Sequence, residues 1–185
     1  MTYQQEASTM VPEADQPDIR PLMAGFPTGV AVVTTIAPDG KPWGMTCTSL
    51  CSVALDPPTL LVCLRQGSPT LEAVKGSGAF AVNILHSQAR STAELFASGA
   101  KDRFEKVLWR TMGPIGGPHL YEAAHTIADC AVEDVQLVGD HAVVMGRVVA
   151  ITQLQLQLPL LYGMRRYGSW IDSAEDSHLY YDFMS

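Results

Sequence analysis

The sequence predicts a mainly β domain, an antiparallel barrel with flanking helices, on three observations. Short apolar runs rich in β-branched residues recur along the chain, separated by turn signals. Two of those signals, Pro38-Asp39-Gly40 and Gly139-Asp140, are typical of tight hairpins between antiparallel strands. No G-x-G-x-x-G sequence follows a strand, so a parallel sheet that binds dinucleotides is not supported.

Composition and charge indicate a globular protein that does not bind nucleic acid or membranes. The chain has 185 residues, 47% of them apolar and 17% charged, which suits one globular domain with a sizeable core. Its net charge is −7, and its basic residues are scattered apart from Arg165-Arg166. Neither nucleic acid nor an anionic membrane surface is therefore expected as a partner.

The cysteines and histidines lack metal-binding spacing. The four cysteines include no C-x-x-C pair and the five histidines no H-E-x-x-H sequence, so no metal site is expected. The N-terminus lacks the basic and apolar regions of a secretory signal, and no stretch of about 18 apolar residues could span a bilayer. These features predict a cytoplasmic protein with reduced thiols.

The chain is predicted to begin with an arm and a short helix. Residues 1–17 are polar, contain two prolines and show no periodicity, so a flexible arm is expected. Asp18 can cap a helix over Ile19–Gly25, which Pro27 ends. Apolar residues recur there at helical spacing: Ile19, Leu22, Met23 and Phe26.

Three strands are predicted next. Gly29–Ile36 is β-branched, and Trp43–Ala54 continues as strand after the first hairpin turn. The turn Asp56-Pro57-Pro58 leads into a third strand over Thr59–Leu64. These segments supply the first part of the predicted barrel.

A helix is predicted after the third strand. Ser68 or Thr70 can cap it, it runs to about Lys75, and Gly76 and Gly78 end it. Downstream, Ala79–Leu85 is predicted to be a buried strand and Ser87–Ala97 an amphipathic helix. The candidates for burial on that helix are Ala93, Leu95 and Phe96.

The last third is predicted to contain a loop and two long strands. Residues 113–118 are rich in Gly and Pro and form the loop. Two strands then meet at Gly139-Asp140, which suits a type II′ turn, and the second covers Ala142–Thr152. Leu154–Leu161 fits either strand or loop, and residues 171–185 form an acidic, aromatic tail.

One polar, uncharged segment, Gly44–Leu50, stands out within the predicted strands. Its four central side chains, those of residues 46–49, can all donate or accept a hydrogen bond, and none is charged. Small residues of this kind suit a backbone that lies against a planar polar ligand. The alternative is a half-buried strand whose threonines pair across its outer face.

The ordered motifs of the chain resemble those of the flavin reductase-like family. The match covers Phe26–Thr35, Gly44–Leu50, Asp56-Pro57-Pro58, Ser68-Pro69-Thr70, Phe80–Leu85, Asp102-Arg103-Phe104 and Gly139-Asp140-His141. Their order and spacing agree over roughly Asp18 to Trp170, so residues 18–170 are expected to form the flavin-binding domain. The most similar members are the small reductase components of two-component flavin monooxygenases.

The resemblance implies a fold, an activity and partners. It implies a split β-barrel, commonly a homodimer with flavin near the subunit interface. The implied activity is NAD(P)H:flavin oxidoreduction: NADH or NADPH reduces FMN or FAD, and a separate monooxygenase receives the reduced flavin. Hydride passes between the cofactors, so the protein needs no nucleophile and must instead position two rings.

The flavin ring is expected against Thr46, Cys47, Thr48 and Ser49. Their hydroxyls and backbone N–H groups suit polar ring edges and the ribityl chain, and donors at the N1–C2=O edge would stabilise developing charge. Cys47 is small enough to let the ring approach, and no base lies beside it in sequence to make it a reactive thiol.

The phosphate is expected near the helix start, where N–H groups are unpaired. Ser68 and Thr70 lie there, and Arg65 three residues earlier could neutralise charge; ordinary capping and a solvated arginine are the alternatives. Asn83 interrupts an apolar strand, so its amide needs a partner, which could be the flavin or a neighbouring loop backbone.

The resemblance also implies roles for residues in the second half. It places Arg103 and Phe104 over the flavin, against an alternative of an exposed arginine and a core phenylalanine. It places His141, the candidate catalytic residue, on the nicotinamide side, against an exposed hairpin histidine. Tyr167, with Arg165 and Arg166, could reach the cofactor, against a packed tyrosine and surface arginines.

Two other functions remain open from the sequence. One is an oxidoreductase that holds flavin tightly and either reduces another acceptor or acts as an oxidase. The other is a non-catalytic flavin- or haem-binding module on the same barrel. A nicotinamide site at His141 favours the reductase, whereas a haem binder needs an axial ligand that the sequence does not reveal.

Overall fold

Ten strands and three helices make up the described chain in the computed structural model, which covers residues 17–154 and 156–170. The strands are β1 (Thr28–Gly29), β2 (Ala31–Ile36), β3 (Pro42–Cys47), β4 (Cys51–Leu55), β5 (Pro58–Arg65), β6 (Ala79–Leu85), β7 (Ala124–Val138), β8 (His141–Gln153), β9 (Leu160–Gly163) and β10 (Arg166–Ser169). The helices are α1 (Arg20–Ala24), α2 (Pro69–Ser77) and α3 (Arg90–Ala97), and a 3₁₀ turn covers Arg103–Glu105. The predicted arm, apart from its last residue, and the predicted tail lie outside the described residues.

The main sheet has seven antiparallel strands in the order β3-β2-β6-β7-β8-β5-β4. Its two edge strands, β3 and β4, are consecutive in the chain and separated by only three residues, so the sheet must curl until its edges meet. Buried side chains from six of its strands share one interior cluster, which includes Val33, Val62, Val82, Cys130 and Val144. The predicted antiparallel barrel is confirmed.

A second apolar layer covers the outer face of β2. There Val30 and Val32 pack with Ala93 and Phe96 of α3. Because Ala31 and Val33 point into the barrel and Val32 into this layer, β2 is buried on both faces. A small sheet of order β1-β9-β10 lies beside the main one.

The predicted continuous strand over Trp43–Ala54 is wrong. The chain leaves β3 after Cys47, crosses at residues 48–50 and enters β4 at the other edge. Sequence pattern cannot separate one long strand from two short ones when the break contains no glycine or proline. The break is where the barrel closes.

The first helix also differs from its prediction. Asp18 accepts a hydrogen bond from the Arg20 N–H group at 2.9 Å, but Ile19 is the N-cap residue. No residue of α1 is buried, and its apolar side chains are exposed, because no other described element covers them. The predicted helix over Ile19–Gly25 is therefore present but one residue shorter at each end, and its apolar spacing does not correspond to a buried face.

Several other local predictions are confirmed. Ser68 caps α2, whose C-cap is Gly78, and α3 lies inside the predicted helix with Ala93 and Phe96 buried. Gly76, the other predicted helix end, instead lies inside α2, and Leu95 is only partly buried. Gly139 has a φ of +56°, as the first central residue of a type II′ turn requires. Of the predicted Leu154–Leu161 segment, Leu154 and residues 156–158 lie outside any strand, Pro159 forms an isolated bridge with His86, and β9 begins at Leu160.

Candidate functional site

Strand pairing brings several predicted site residues to one end of the barrel. Arg65, at the end of β5, pairs with His141, at the start of β8. The Ser68 N–H group donates to the Arg65 carbonyl at 3.2 Å. The Ser49 hydroxyl lies 2.8 Å from the backbone nitrogen of Cys63, two residues before Arg65. Segments distant in sequence therefore meet here, at what we call the closing end.

The barrel-closing segment, residues 46–50, holds its polar side chains in different ways. Thr46 donates a hydrogen bond to the Ala93 carbonyl of α3 at 2.6 Å, and Ser49 bonds to the Cys63 backbone. Thr48 is exposed, and its hydroxyl has no hydrogen-bond partner among the described residues. Only Thr48 thus presents an unused hydroxyl to a ligand.

Cys47 is a packing residue in this arrangement. Its side chain is buried, and its sulfur lies 3.1 Å from the Ser49 hydroxyl oxygen. Burial raises the pKa of the Cys47 thiol, which opposes thiolate formation at neutral pH. The geometry agrees with a small residue that admits a ligand nearby and not with a nucleophile.

The start of α2 offers polar groups for an anion. Ser68 accepts a hydrogen bond from the Leu71 N–H group at 3.2 Å, as an N-cap residue does. Arg65 is exposed, and no described carboxylate lies within ion-pair distance of it. Thr70, the alternative cap, lies inside the helix and is buried. Ser68 and Arg65 are therefore the accessible members of the predicted phosphate site.

The hairpin that carries His141 is tied to β5. Gln66 donates from its side-chain nitrogen to the Gly139 carbonyl at 2.7 Å, and its backbone nitrogen donates to the Asp140 carbonyl at 2.9 Å. The Nδ1 atom of His141 lies 2.7 Å from the Asp140 carboxylate, and this hydrogen bond lowers the pKa of Asp140. The imidazole is half-exposed, and its Nε2 atom has no partner among the described residues.

Arg103 and Phe104 lie elsewhere, near the start of β3. Arg103 is 7% exposed, and its guanidinium packs at 5.8 Å from the Trp43 ring and 6.0 Å from the Phe96 ring. One of its nitrogens donates to the Ala100 carbonyl, its Nε atom has no acceptor, and burial lowers its pKa. The alternative of an exposed arginine is wrong.

Phe104 belongs to an aromatic cluster over β3. Its ring meets those of Phe96 and Trp109 edge-on, at 5.1 and 5.8 Å. Gly44 makes this possible, because a Cβ atom there would lie 3.2 Å from the Phe104 ring and 2.9 Å from the Val33 carbonyl oxygen. This packing supports the interpretation of Phe104 as a partly buried structural residue.

Both the nitrogen and the oxygen of the Asn83 side-chain amide form hydrogen bonds with protein groups. Its nitrogen donates to the Val32 carbonyl and the Thr34 hydroxyl at 3.1 and 3.0 Å, and to the Pro118 carbonyl at 3.3 Å. Its oxygen accepts from the Leu120 N–H group at 2.8 Å. These bonds support the neighbouring-loop interpretation of Asn83, and we leave it out of the flavin site.

Tyr167 packs beside α3 on the small sheet. Its ring lies 5.2 Å from that of Tyr162, and the Arg90 guanidinium lies 5.7 Å from its centroid. Burial, reinforced by the nearby Glu94 carboxylate, raises the pKa of Tyr167. Tyr167 also lines a cavity of about 390 Å³ with Pro27 and other residues of β9 and β10.

Sequence reasoning missed the partners of several site residues. Ala93, Gln66 and Asp140 hold the segments that carry Thr46 and His141. Of these, only Asp140 carried a sequence signal, as part of the matched hairpin motif. A further cavity of about 380 Å³ lies between α3 and residues 105–108 and is lined by none of the predicted site residues.

The described ranges contain neither a metal-binding cluster nor a membrane-spanning helix. No group of three or more His, Cys, Asp or Glu side chains within residues 17–154 and 156–170 could hold a metal ion. Within the same ranges, no helix is long and apolar enough to cross a bilayer.

Comparison with known proteins identifies the family. The model of the flavin reductase like domain matches residues 23–170. A flavin reductase (NADPH) from Lentzea aerocolonigenes is 52% identical over 83% of this chain and 89% of its own length. The reductase subunit of a flavin-dependent monooxygenase from Rhodococcus jostii (strain RHA1) is 37% identical over 80% of this chain and 74% of its own length.

A solved structure agrees with the fold. The NADH:FAD oxidoreductase of Streptomyces globisporus, solved with NAD and FAD fragments, superposes with a TM-score of 0.79 at 29% identity. The match covers 90% of this chain and 99% of that one. With its barrel, its closing end and these relatives, the chain belongs to the flavin reductase-like family.

Proposed function

We propose that this chain is an NAD(P)H:flavin oxidoreductase that reduces FMN or FAD and supplies reduced flavin to a separate monooxygenase. The observation that carries the proposal is the meeting of Thr48, Arg65, Ser68 and His141 at the closing end. Relatives named as flavin reductases and as monooxygenase reductase subunits support it.

The closing end suits a flavin chemically. Arg65 offers an exposed cation that forms no salt bridge with a described carboxylate, although the Asp140 carboxylate interacts with it electrostatically. The start of α2 adds backbone N–H groups, so a phosphate would be stabilised there. The free hydroxyl of Thr48 would meet the polar edge of the ring. Bound flavin supplies the hydride acceptor of the reaction.

The protein residues bind and orient, and none needs to transfer a proton. His141, with its backbone fixed by the Gln66 contacts, would direct Nε2 toward the carboxamide or a ribose oxygen of the nicotinamide dinucleotide. Arg103, Phe104 and Tyr167 pack around β3, α3 and the small sheet, and in our proposal their contact with the flavin rests on the family resemblance. Holding the two rings in contact is the main contribution of the chain to the rate.

We also propose that the chain works as a homodimer in the cytoplasm. Apolar side chains remain exposed on β4 and β8: Val53, Leu55, Val149 and Ile151. Leu55 is 91% exposed, and apolar surface of this kind usually marks an interface. The four cysteines are unpaired, which suits a reducing compartment.

A steady-state assay tests the function. NADH and NADPH oxidation is measured with FMN, FAD and riboflavin in turn, and a matched monooxygenase then reports delivery of reduced flavin. We expect turnover that saturates with added free flavin. No turnover above the buffer control with any pair would refute the proposal. A flavin that stays bound through gel filtration and reduces only another acceptor would replace it with the tight-binding alternative.

A further inference from the structure

The barrel depends on a short chain crossing at its closing end. Residues 48–50 connect β3 to β4, which lie at opposite edges of the seven-stranded sheet. Of these three residues, only Ser49 makes side-chain hydrogen bonds across the gap, and it makes them to the backbone of β5. The Ser49 hydroxyl therefore takes the place of a strand-to-strand backbone contact.

The hydrogen-bonding capacity of this hydroxyl is fully used. A serine hydroxyl offers one donor and two acceptor positions. Its oxygen accepts from the Cys63 N–H group at 2.8 Å and can accept the Cys47 S–H group at 3.1 Å. Its proton faces the Cys63 carbonyl at 3.2 Å. No position remains for a ligand.

The hydroxyl of the adjacent residue, Thr48, is unused, in contrast to that of Ser49. Thr48 is exposed, and its hydroxyl has no partner within the described part of the chain. The two neighbours therefore differ in kind, although both carry a hydroxyl and lie in the same matched motif. One is occupied in closing the barrel, and the other is free to meet a ligand.

We infer that Ser49 is a positioning residue for the flavin site, and that Thr48 makes the side-chain contact with the ring. This inference rests on the proposed flavin-reducing function. Ser49 holds the crossing against β5, and the crossing carries Thr48 and its neighbouring amides. When the Ser49 bond is lost, the crossing moves away from β5 and the ring loses its aligned donors.

Loss of the Ser49 hydroxyl should affect every flavin to the same degree. The hydrogen bonds between Ser49 and the Cys63 backbone, which we call the bridge, lie where the flavin ring is proposed to bind. FMN and riboflavin have the same ring, so both should bind about 10-fold more weakly. The rate of flavin reduction at saturating flavin should also fall, because misaligned rings react more slowly. Loss of the Thr48 hydroxyl should weaken binding by about 2- to 13-fold, the value of one neutral hydrogen bond.

The test compares Ser49→Thr with Ser49→Val, which have the same shape and differ in the hydroxyl. Riboflavin and FMN affinities, the single-turnover reduction rate, and hydrogen exchange of the Cys63 amide are measured for both. We expect Ser49→Thr to keep slow exchange and near-native affinity, and Ser49→Val to exchange faster and lose both affinity and rate. Thr48→Val is the matched control, expected to lose affinity without a change in Cys63 exchange.

The outcomes separate the inference from the proposed function. If both Ser49 variants bind flavin like the wild type, or differ from each other in neither exchange nor affinity, the inference is overturned. Faster Cys63 exchange in Ser49→Val with unchanged flavin affinity also overturns it, since the bridge would then be structural only. A wild-type chain that neither binds nor reduces flavin refutes the function instead, while Cys63 exchange still reports whether the bridge exists.

Discussion

Polar residues gather in two places, around Asn83 and at the closing end, and the two clusters differ in how far protein partners satisfy their hydrogen-bonding groups. Around Asn83, buried polar atoms of Thr34, His119 and Asp129 bond to protein partners, with the His119 Nε2 atom 2.9 Å from both Asp129 carboxylate oxygens. At the closing end, Thr48, Arg65 and His141 are at least partly exposed and keep unused donors or acceptors. A polar residue among apolar strands therefore indicates a ligand only when the folded protein leaves its hydrogen-bond donors or acceptors without a partner.

The largest expected effect is a loss of stability when the buried cluster around Asn83 is disrupted. Asn83→Ala should lower the free energy of unfolding by about 3 kcal/mol, because the Leu120 N–H group and the Thr34 and Pro118 oxygens lose a buried partner. Urea unfolding measures the loss, with Thr48→Val as an exposed control of unchanged stability. A loss below about 1 kcal/mol would mean that Asn83 is not the structural residue described here.

The next effect concerns the phosphate end of the site. Ser68→Ala should weaken FMN binding about 10-fold while riboflavin affinity changes little, because only FMN carries the phosphate. Loss of the cap should also cost about 1 kcal/mol of stability. Fluorescence titration of both flavins measures this, and Thr70→Val, at a buried position, serves as the matched hydroxyl control. Equal losses of affinity for FMN and riboflavin would show that the phosphate does not bind at Ser68.

A smaller effect is expected at the hairpin. His141→Ala should raise KM for NADH by about 2- to 13-fold, the loss of one neutral hydrogen bond, without changing flavin affinity. The two constants are measured separately. Gln66→Ala should act in the same direction, because Gln66 holds the hairpin in place. Normal NADH kinetics would make His141 an ordinary hairpin residue, and weaker flavin binding alone would place it on the flavin side.

The smallest effect distinguishes the cysteines. Cys51 is exposed, whereas Cys47 and Cys130 are buried, and burial raises the pKa of Cys130 to about 12. An alkylating reagent at neutral pH should therefore modify Cys51 first and leave Cys47 as an unreactive thiol, since its pKa is also raised. Mass spectrometry locates the label, and flavin reduction should persist. Rapid modification of Cys47 in the folded protein would contradict its assignment as a packing residue.

The sequence predicted those parts of the site whose signal is local. The Ser68 cap follows from a hydroxyl residue before a proline and an apolar run, and the Gly139 turn from a dipeptide suited to one turn type. The break after Cys47 had no such signal, because the residues that cross the gap look like strand. The burial of Arg103 between Trp43 and Phe96 was also not predictable, because the rings come from segments far apart in the chain.

The sequence by itself determined the fold class, the family and most of the strands. Those properties come from periodicity, turn residues and ordered motifs, all of which act over a few residues. Only the tertiary structure decided that Ser49 bonds to β5 while Thr48 stays free, and that Asn83 bonds to a distant loop. The physical reason is that hydrogen-bond satisfaction depends on partners brought close by barrel closure, and one residue's neighbours in the chain do not specify them.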